Sequence, residues 1–409
     1  MRVNARWLAV LVVVMVAAGS TMALSGGAGA SAPAVQGISG TTIKVGGIVD
    51  NLTFSGADDG FNARIGRANK KKELGKYTIN YIGSTDAASS SDKALSTAQS
   101  LVERDQVYAL APVISTGFQQ NVGTYAAGKQ VPYFGAGFTN AFCAPNTYGI
   151  SSLGCAVGGK YAFTTAIDGV AKALGKKVSD LKWAFVGLAI PDGQNTVDNY
   201  VKLAEAEGGK VVYSKAVIPQ GGGGDLQPFV SAVMDTKPDV VWPLAGAEVL
   251  GFTSAMKAAG YTGQMVNAAF YSPGLLTKYA SIATTLSGDL IQGSTPILES
   301  NSPFVKQMVA DYQAIGKTSD DITFGGLYAY MTADLMVAAM KKVAPNFTKL
   351  VPTVAKGFSY KPAVDSSPFT WPAAYNQSGS CATVVKVSGT QYQIATPFTC
   401  NGKKVQVRS

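Results

Sequence analysis

Two short stretches place hydroxyls and free amides where a small anion can be held. Ser115 and Thr116 close the apolar run VYALAPVIS (107–115) and open a helical one. The hydroxyls and first-turn amides of such a junction suit a carboxylate, although ordinary helix capping explains the same pair. GAGFTN (135–140) ends the next apolar run. Its Gly137 lets backbone amides approach a ligand, and Phe138 and Thr139 share that edge. Further on, Asp192 follows KWAFVGLAI (182–190), and Glu248 follows DVVWPLAG (239–246). A carboxylate at either place suits an ammonium or hydroxyls, and capping of a helix over 248–259 accounts for Glu248 as well. Phe54 and Tyr271 lie just past two further apolar runs, and each is either the wall of an apolar pocket or plain packing.

Signals for catalysis are poor. The chain has no histidine, which removes the commonest general base and any Ser-His-Asp arrangement. No Gly-x-Ser-x-Gly elbow occurs. GKT (316–318) resembles the end of a phosphate loop, but Asp311 stands where the first glycine is needed and the context is helical. GAGFTN begins like a dinucleotide fingerprint, yet Asn140 replaces its last glycine and the position is a fourth strand. The expectation is a binding protein with no cofactor. Cys143, Cys155, Cys381 and Cys400 form two local pairs. Three pairings are open, and Cys143–Cys155 with Cys381–Cys400 is the economical one in an exported chain. Without histidine or a CxxC spacing, no metal site is expected.

The elements that must position these residues come in two copies. The first reads IKVGGIVD (43–50), helix 61–74, YTINYIGS (77–84), helix 91–105, strand 107–115, helix 117–128 and QVPYFGAG (130–137). The second reads strand 182–190, helix 196–207, KVVYSKAVI (210–218), helix 225–236, strand 239–246, helix 248–259 and QMVNAAF (264–270). Matching strands recur at a fixed offset of roughly 130–140 residues, the mark of tandem units. Alternating strand and helix build a parallel sheet with helices on both faces, and continuous apolar strands fit one covered on both sides. The fold class is therefore α/β, with two Rossmann-like, doubly wound lobes. Ligands of such sheets bind beyond the carboxyl ends of the strands, so two facing sheets enclose a cleft.

Beyond residue 290 no third copy starts. A strand (288–297), helix 303–314, the long apolar helix 324–342 and a hairpin over 381–398 follow. The chain is thus expected to recross between lobes and form a multi-strand hinge. One lobe takes 41–163 plus about 290–375, the other 164–289 plus about 376–409. GGGG (221–224) reads as a loop with Asp225 as a cap.

Residues 1–32 differ in kind. Arg2 and Arg6 precede the apolar run Trp7–Ala18, then small residues reach Ala30 and Ala32. That order is an export signal, and its apolar part falls short of the ~20 residues a spanning helix needs. We expect cleavage near Ala30 or Ala32, with the mature chain secreted or in the cell envelope. No cysteine follows to carry a lipid. Without the two arginines the chain has 32 basic and 25 acidic residues, about +7. The charges are scattered apart from Lys70-Lys71-Lys72 at a helix end, so nucleic acid is not an expected partner.

IKVGGIVD, GFNARIGRAN (60–69), VPYFGAGFTNAF (131–142) and YKPAVDSSPFTWPAAY (360–375) resemble the periplasmic-binding-protein type I family. The likeness is to the leucine/isoleucine/valine-binding proteins of ABC importers, and to exported actinobacterial members most. It spans about 43–400. The resemblance implies a monomeric carrier that delivers an amino acid, or a related amide or carboxylate, to an ABC permease with its ATPase subunits. It would meet the membrane only through that permease. An exported sensor subunit of the same fold is the alternative. In the family a Ser or Thr after the third strand and a small residue with a Thr after the fourth hold the carboxylate; Ser115, Gly137 and Thr139 stand there. The second lobe departs from the pattern. Asp192-Gly193 replaces the family's Tyr-Gly, and Ala269-Phe270-Tyr271 stands where the acid for the ammonium belongs. Either Asp192 is the substitute carboxylate, or the ligand is an amide, an aromatic or aliphatic acid, or another small polar solute.

Overall fold

A computed structural model describes residues 35–364 and 366–409; the expected export signal, 1–32, lies outside the described residues. Each expected copy forms a parallel sheet. In the first lobe, β1 (Thr42–Val49), β2 (Thr78–Asp86), β3 (Ala109–Ile114), β4 (Tyr133–Gly135) and β5 (Gly149–Ser151) lie in the order β2-β1-β3-β4-β5. The second lobe repeats that order with β6 (Lys182–Leu188), β7 (Lys210–Ile218), β8 (Val240–Leu244), β9 (Gln264–Asn267) and β10 (Leu290–Gly293), as β7-β6-β8-β9-β10. Such an order reverses direction beside the first strand, and the crevice opens there between β1 and β3 and between β6 and β8. Every residue of β3 and β8 is buried, so their apolar runs reflect cover on both faces rather than one.

β10 completes the second sheet, hydrogen-bonded to β9 at Val266 and Asn267. β5 was not expected at all; three residues long, it is too short to show a pattern in sequence. The carboxyl-terminal hairpin, β11 (Ala382–Ser388) and β12 (Gln391–Thr399), extends the second sheet antiparallel to β10. Gly389 makes its turn with φ +61°, a conformation that glycine adopts without a Cβ clash.

Helix Ala57–Lys70 carries Asp58 and Asp59 in its first turn and Arg67 and Lys70 in its last, which suits the helix dipole and sets its span. It starts four residues before the expected 61–74. The long helix Phe324–Val343 is capped by Thr323, whose hydroxyl accepts from Gly326 N at 2.9 Å, and is buried on most sides. It lies tight against Ala57–Lys70. A Cβ at Gly60 would come within 1.9 Å of the Gly326 carbonyl, so only glycine permits this approach. Between the two helices Arg64, almost fully buried, meets both Glu73 and Asp334, and Arg67 pairs with Asp311 at 2.8 Å.

The expected disulfides are both present: Cys143–Cys155, with Cα atoms 4.9 Å apart, and Cys381–Cys400. No described helix is long and apolar enough to cross a membrane.

Asp289, at the entry to β10, gives the second lobe a pH dependence. Its buried carboxylate accepts from Lys257 at 2.6 Å and from Asn267 at 3.1 Å. Burial nevertheless raises its pKa to about 6 from 3.8, against the pull of both partners. A raised carboxyl pKa means the folded chain holds the proton more tightly than the unfolded one. The resulting stability is complete below about pH 4 and is lost as pH rises through 6. At 1.36 kcal/mol per unit the loss is about 3 kcal/mol at most. Urea unfolding of Asp289→Asn beside the parent should show the variant gaining relative stability from pH 4 to pH 7; a parallel pair of curves would refute it.

Candidate functional site

A cavity of about 210 Å³ lies where the strand tips of the two lobes face each other. Thr53 and Phe54 enter it after β1, Thr116 after β3 and Phe138 after β4. From the second lobe come Ile190 and Asp192 after β6, Gly246 after β8 and Ala268 after β9. The wall is mostly apolar, and it continues to the crossing segments around Ala162–Ala166 and Ser378–Ala382, so the cavity reaches the hinge.

Aromatic rings form the first-lobe side. Phe54 stacks between Phe138 (centroids 5.4 Å apart) and Phe324 (5.5 Å), and Tyr328 meets Phe138 edge-on at 5.3 Å. Such contacts hold the rings rigid before any ligand arrives. Tyr200, from helix Pro191–Ala206, and Phe398, from β12, come from the second lobe. Burial pushes the Tyr328 phenol up to about 12, while its hydrogen bonds with Ser294 act the other way; burial also raises Tyr200. Both phenols are therefore neutral hydrogen-bonding groups at any physiological pH.

Of the nine residues expected to contact a ligand, Phe54, Thr116, Phe138 and Asp192 line the cavity. The other five are engaged elsewhere. Ser115 is fully buried, and its hydroxyl accepts from Gly117 N at 2.9 Å and Phe118 N at 3.0 Å. Those are the amides an anion would have used, so the capping alternative describes the geometry. Gly137 packs against Ser151 and the Gly154 carbonyl, where a Cβ would approach within 2.4 Å. The Thr139 hydroxyl accepts from Ala141 N and donates to Gln119. Glu248 accepts from Gly221 N at 3.1 Å, holding the glycine loop, and its side chain makes no cap bond to its own helix. Tyr271 lies in the interior, donating to Glu299 at 2.6 Å and accepting from Leu298 N at 2.7 Å. Each lies just past a strand; side-chain direction, which strand order does not specify, turns it inward.

Asp192 does something sequence did not suggest. One oxygen accepts from Asn140 Nδ2 at 2.6 Å and from Asn195 Nδ2 at 3.3 Å; the other accepts from Asn140 N at 3.2 Å. Asn140 belongs to the first lobe, so these bonds bridge the cleft. A second bridge runs from Ala247 N to the Thr53 hydroxyl at 2.9 Å. The lobes are thus closed on one another by a charged latch and a neutral one. Hydrogen bonds to a charged group contribute about 1.5–3 kcal/mol. Asp192→Ala and Asn140→Ala should each raise the radius of gyration in small-angle scattering by opening the lobes, with no further increase in the double variant. A closed Asp192→Ala protein would remove the latch.

The model of a family described as periplasmic binding protein matches residues 42–391. The chain belongs to that family. Among curated protein sequences none matches it. Solved structures of similar fold include the following three, all of low identity. One is a solute-binding protein of an ABC transporter from R. palustris, in complex with 4-hydroxybenzoate: 20% identity, TM-score 0.66, 89% of this chain and 96% of that one. Another is a branched-chain amino acid ABC transporter protein from Thermus thermophilus with bound valine: 15% identity, TM-score 0.69, 88% and 97%. The third is a leucine-binding protein from Thermotoga maritima: 14% identity, TM-score 0.65, 88% and 99%. At such identities the likeness establishes the periplasmic-binding-protein fold and no ligand.

Sequence reasoning missed Asn140, Tyr200 and Tyr328. Asn140 was legible only as the residue that spoils a dinucleotide motif. Tyr328 sits in an apolar helix that reads as core throughout.

Proposed function

We propose that this periplasmic binding protein captures a small organic solute between its lobes and hands it to an ABC importer, whose permease and ATPase subunits are its partners. The observation that carries the reading is the cavity at the facing strand tips, spanned at its edge by the Asp192–Asn140 and Thr53–Ala247 bonds. In the open state the aromatic side of the first lobe receives the solute. The second lobe then swings over it, and the latch forms only when the lobes meet. A solute that touches both lobes favours the closed state by those added contacts, and the permease reads the closed shape. The protein acts as a carrier and catalyses no reaction; it works as a monomer outside the cytoplasm after residues 1–32 are removed. Valine and 4-hydroxybenzoate, held by proteins of the same fold, support a small organic cargo.

The test is uptake. Cells lacking the protein should lose high-affinity import of one small organic solute and regain it on complementation with the parent. Import unchanged across amino acids, aromatic acids and neutral organic solutes would overturn the reading.

A further inference from the structure

We infer that the solute is an uncharged, largely apolar molecule of about one ring in size, carrying one or two hydroxyl, carbonyl or amide groups, and is neither an α-amino acid nor an organic anion. This rests on the cavity being the solute site.

The first ground is the absence of a counter-ion. No lysine or arginine is among the described residues lining the cavity, and Asp192 is its one carboxylate. An anion held against a wall of phenylalanine, leucine and alanine would lose much of its hydration with no cation to replace it, a cost on the order of several kcal/mol.

The second ground is that most groups able to receive a charge are already committed within the protein; Glu248, whose Oε2 is buried without a partner, is not part of the cavity lining. The amides of Gly117 and Phe118 point at the Ser115 hydroxyl. Gln119 spends its amide on the Val113 and Ala136 carbonyls at 2.8 Å each, and its oxygen on Thr139. Asp192 already accepts three hydrogen bonds, two of them from the opposite lobe. A ligand ammonium would have to share this carboxylate with the latch that closes the cleft, on the oxygen that takes only the Asn140 N–H.

The third ground is what remains free. Among the described residues, the hydroxyls of Thr116 and Tyr200 and the side-chain oxygen of Gln292 line the cavity without a hydrogen-bond partner. All three are neutral, and they are enough to orient one or two polar groups. For size, an apolar cavity of about 150 Å³ accepts benzene; one of about 210 Å³ takes a ring with a small substituent.

Calorimetry and thermal shift on the mature chain, refolded from denaturant to remove any co-purified solute, separate the cases. Benzamide, benzyl alcohol and 4-methylphenol are the neutral probes, benzoate and 4-hydroxybenzoate the anions, leucine and valine the zwitterions, all at millimolar concentration. At least one neutral probe should raise the melting temperature and bind on the order of tenfold more tightly than its charged counterpart. Tyr200→Phe should weaken that probe several-fold while the unliganded melting temperature stays put. Tighter binding of benzoate or leucine would overturn the assignment and leave the solute-carrier reading intact. Silence from all three sets would overturn both.

Discussion

Arg64→Met should unfold at a distinctly lower urea concentration than the parent, with a loss of about 3–5 kcal/mol, the range for breaking a buried ion pair from one side. Arg64 is only 4% exposed. Its two terminal nitrogens meet the two Glu73 oxygens at 3.1 and 3.0 Å, and its Nε meets Asp334. Asp334 in turn accepts from Arg67 at 3.2 Å and from the Tyr360 hydroxyl at 2.8 Å. This guanidinium therefore joins helix Ala57–Lys70, the turn after it, and helix Phe324–Val343. Methionine fills a similar volume but leaves Glu73 and Asp334 with Arg67 alone, at 3.7 and 3.2 Å, a cation already shared with Asp311. Lysine restores the charge but cannot bridge two carboxylates with a planar fork, so Arg64→Lys should recover only part of the loss. Replacing Arg64, Glu73 and Asp334 together by apolar residues should cost less than Arg64→Met alone, because no uncompensated charge remains. If Arg64→Met lost less than about 1 kcal/mol, comparable to an exposed pair, the network would be ornamental to stability.

The second large effect is expected at Cys143–Cys155. The bond closes a short loop, with a sequence separation of 12. Restricting the unfolded chain over about 15 residues stabilises by roughly 3 kcal/mol in the chain-entropy treatment. The Cys143→Ser/Cys155→Ser double variant should lose about that much in urea unfolding. It should also bind solute more weakly, and the geometry says why. The loop contains β5; Asn140 of the latch lies just before it, and Leu153, Ala156 and Val157 of the cavity wall lie at its end. Loosening it softens the closed state at two places. A loss of stability without loss of affinity would show that the wall is held by the Asn199 amide, which donates to Ala156 and Val157 carbonyls, instead of by the disulfide.

Affinity and stability are coupled through the same closure. The latch acts across the cleft and not within either sheet, so its loss should open the lobes while leaving each lobe's core intact. The Arg64 network acts within one lobe and should do the reverse. Scattering and urea unfolding together distinguish them.

Two sets of features divide what could be read from the chain alone from what could not. Strand order, lobe duplication, the recrossing chain and the cysteine pairs follow from local pattern: apolar runs at fixed offset, helix caps such as Thr323, and short cysteine spacing. Periodicity and propensity act over a few residues, and the doubly wound arrangement leaves the strand tips one place to form a site. The roles of individual side chains at those tips did not follow. Ser115 and Thr139 follow strand ends, yet their hydroxyls bond inward to neighbouring amides, and Asp192 crosses to Asn140, 52 residues away. Whether a polar group faces a cavity or its own backbone depends on rotamer and on what the opposite lobe presents, and both are decided only when the two lobes pack.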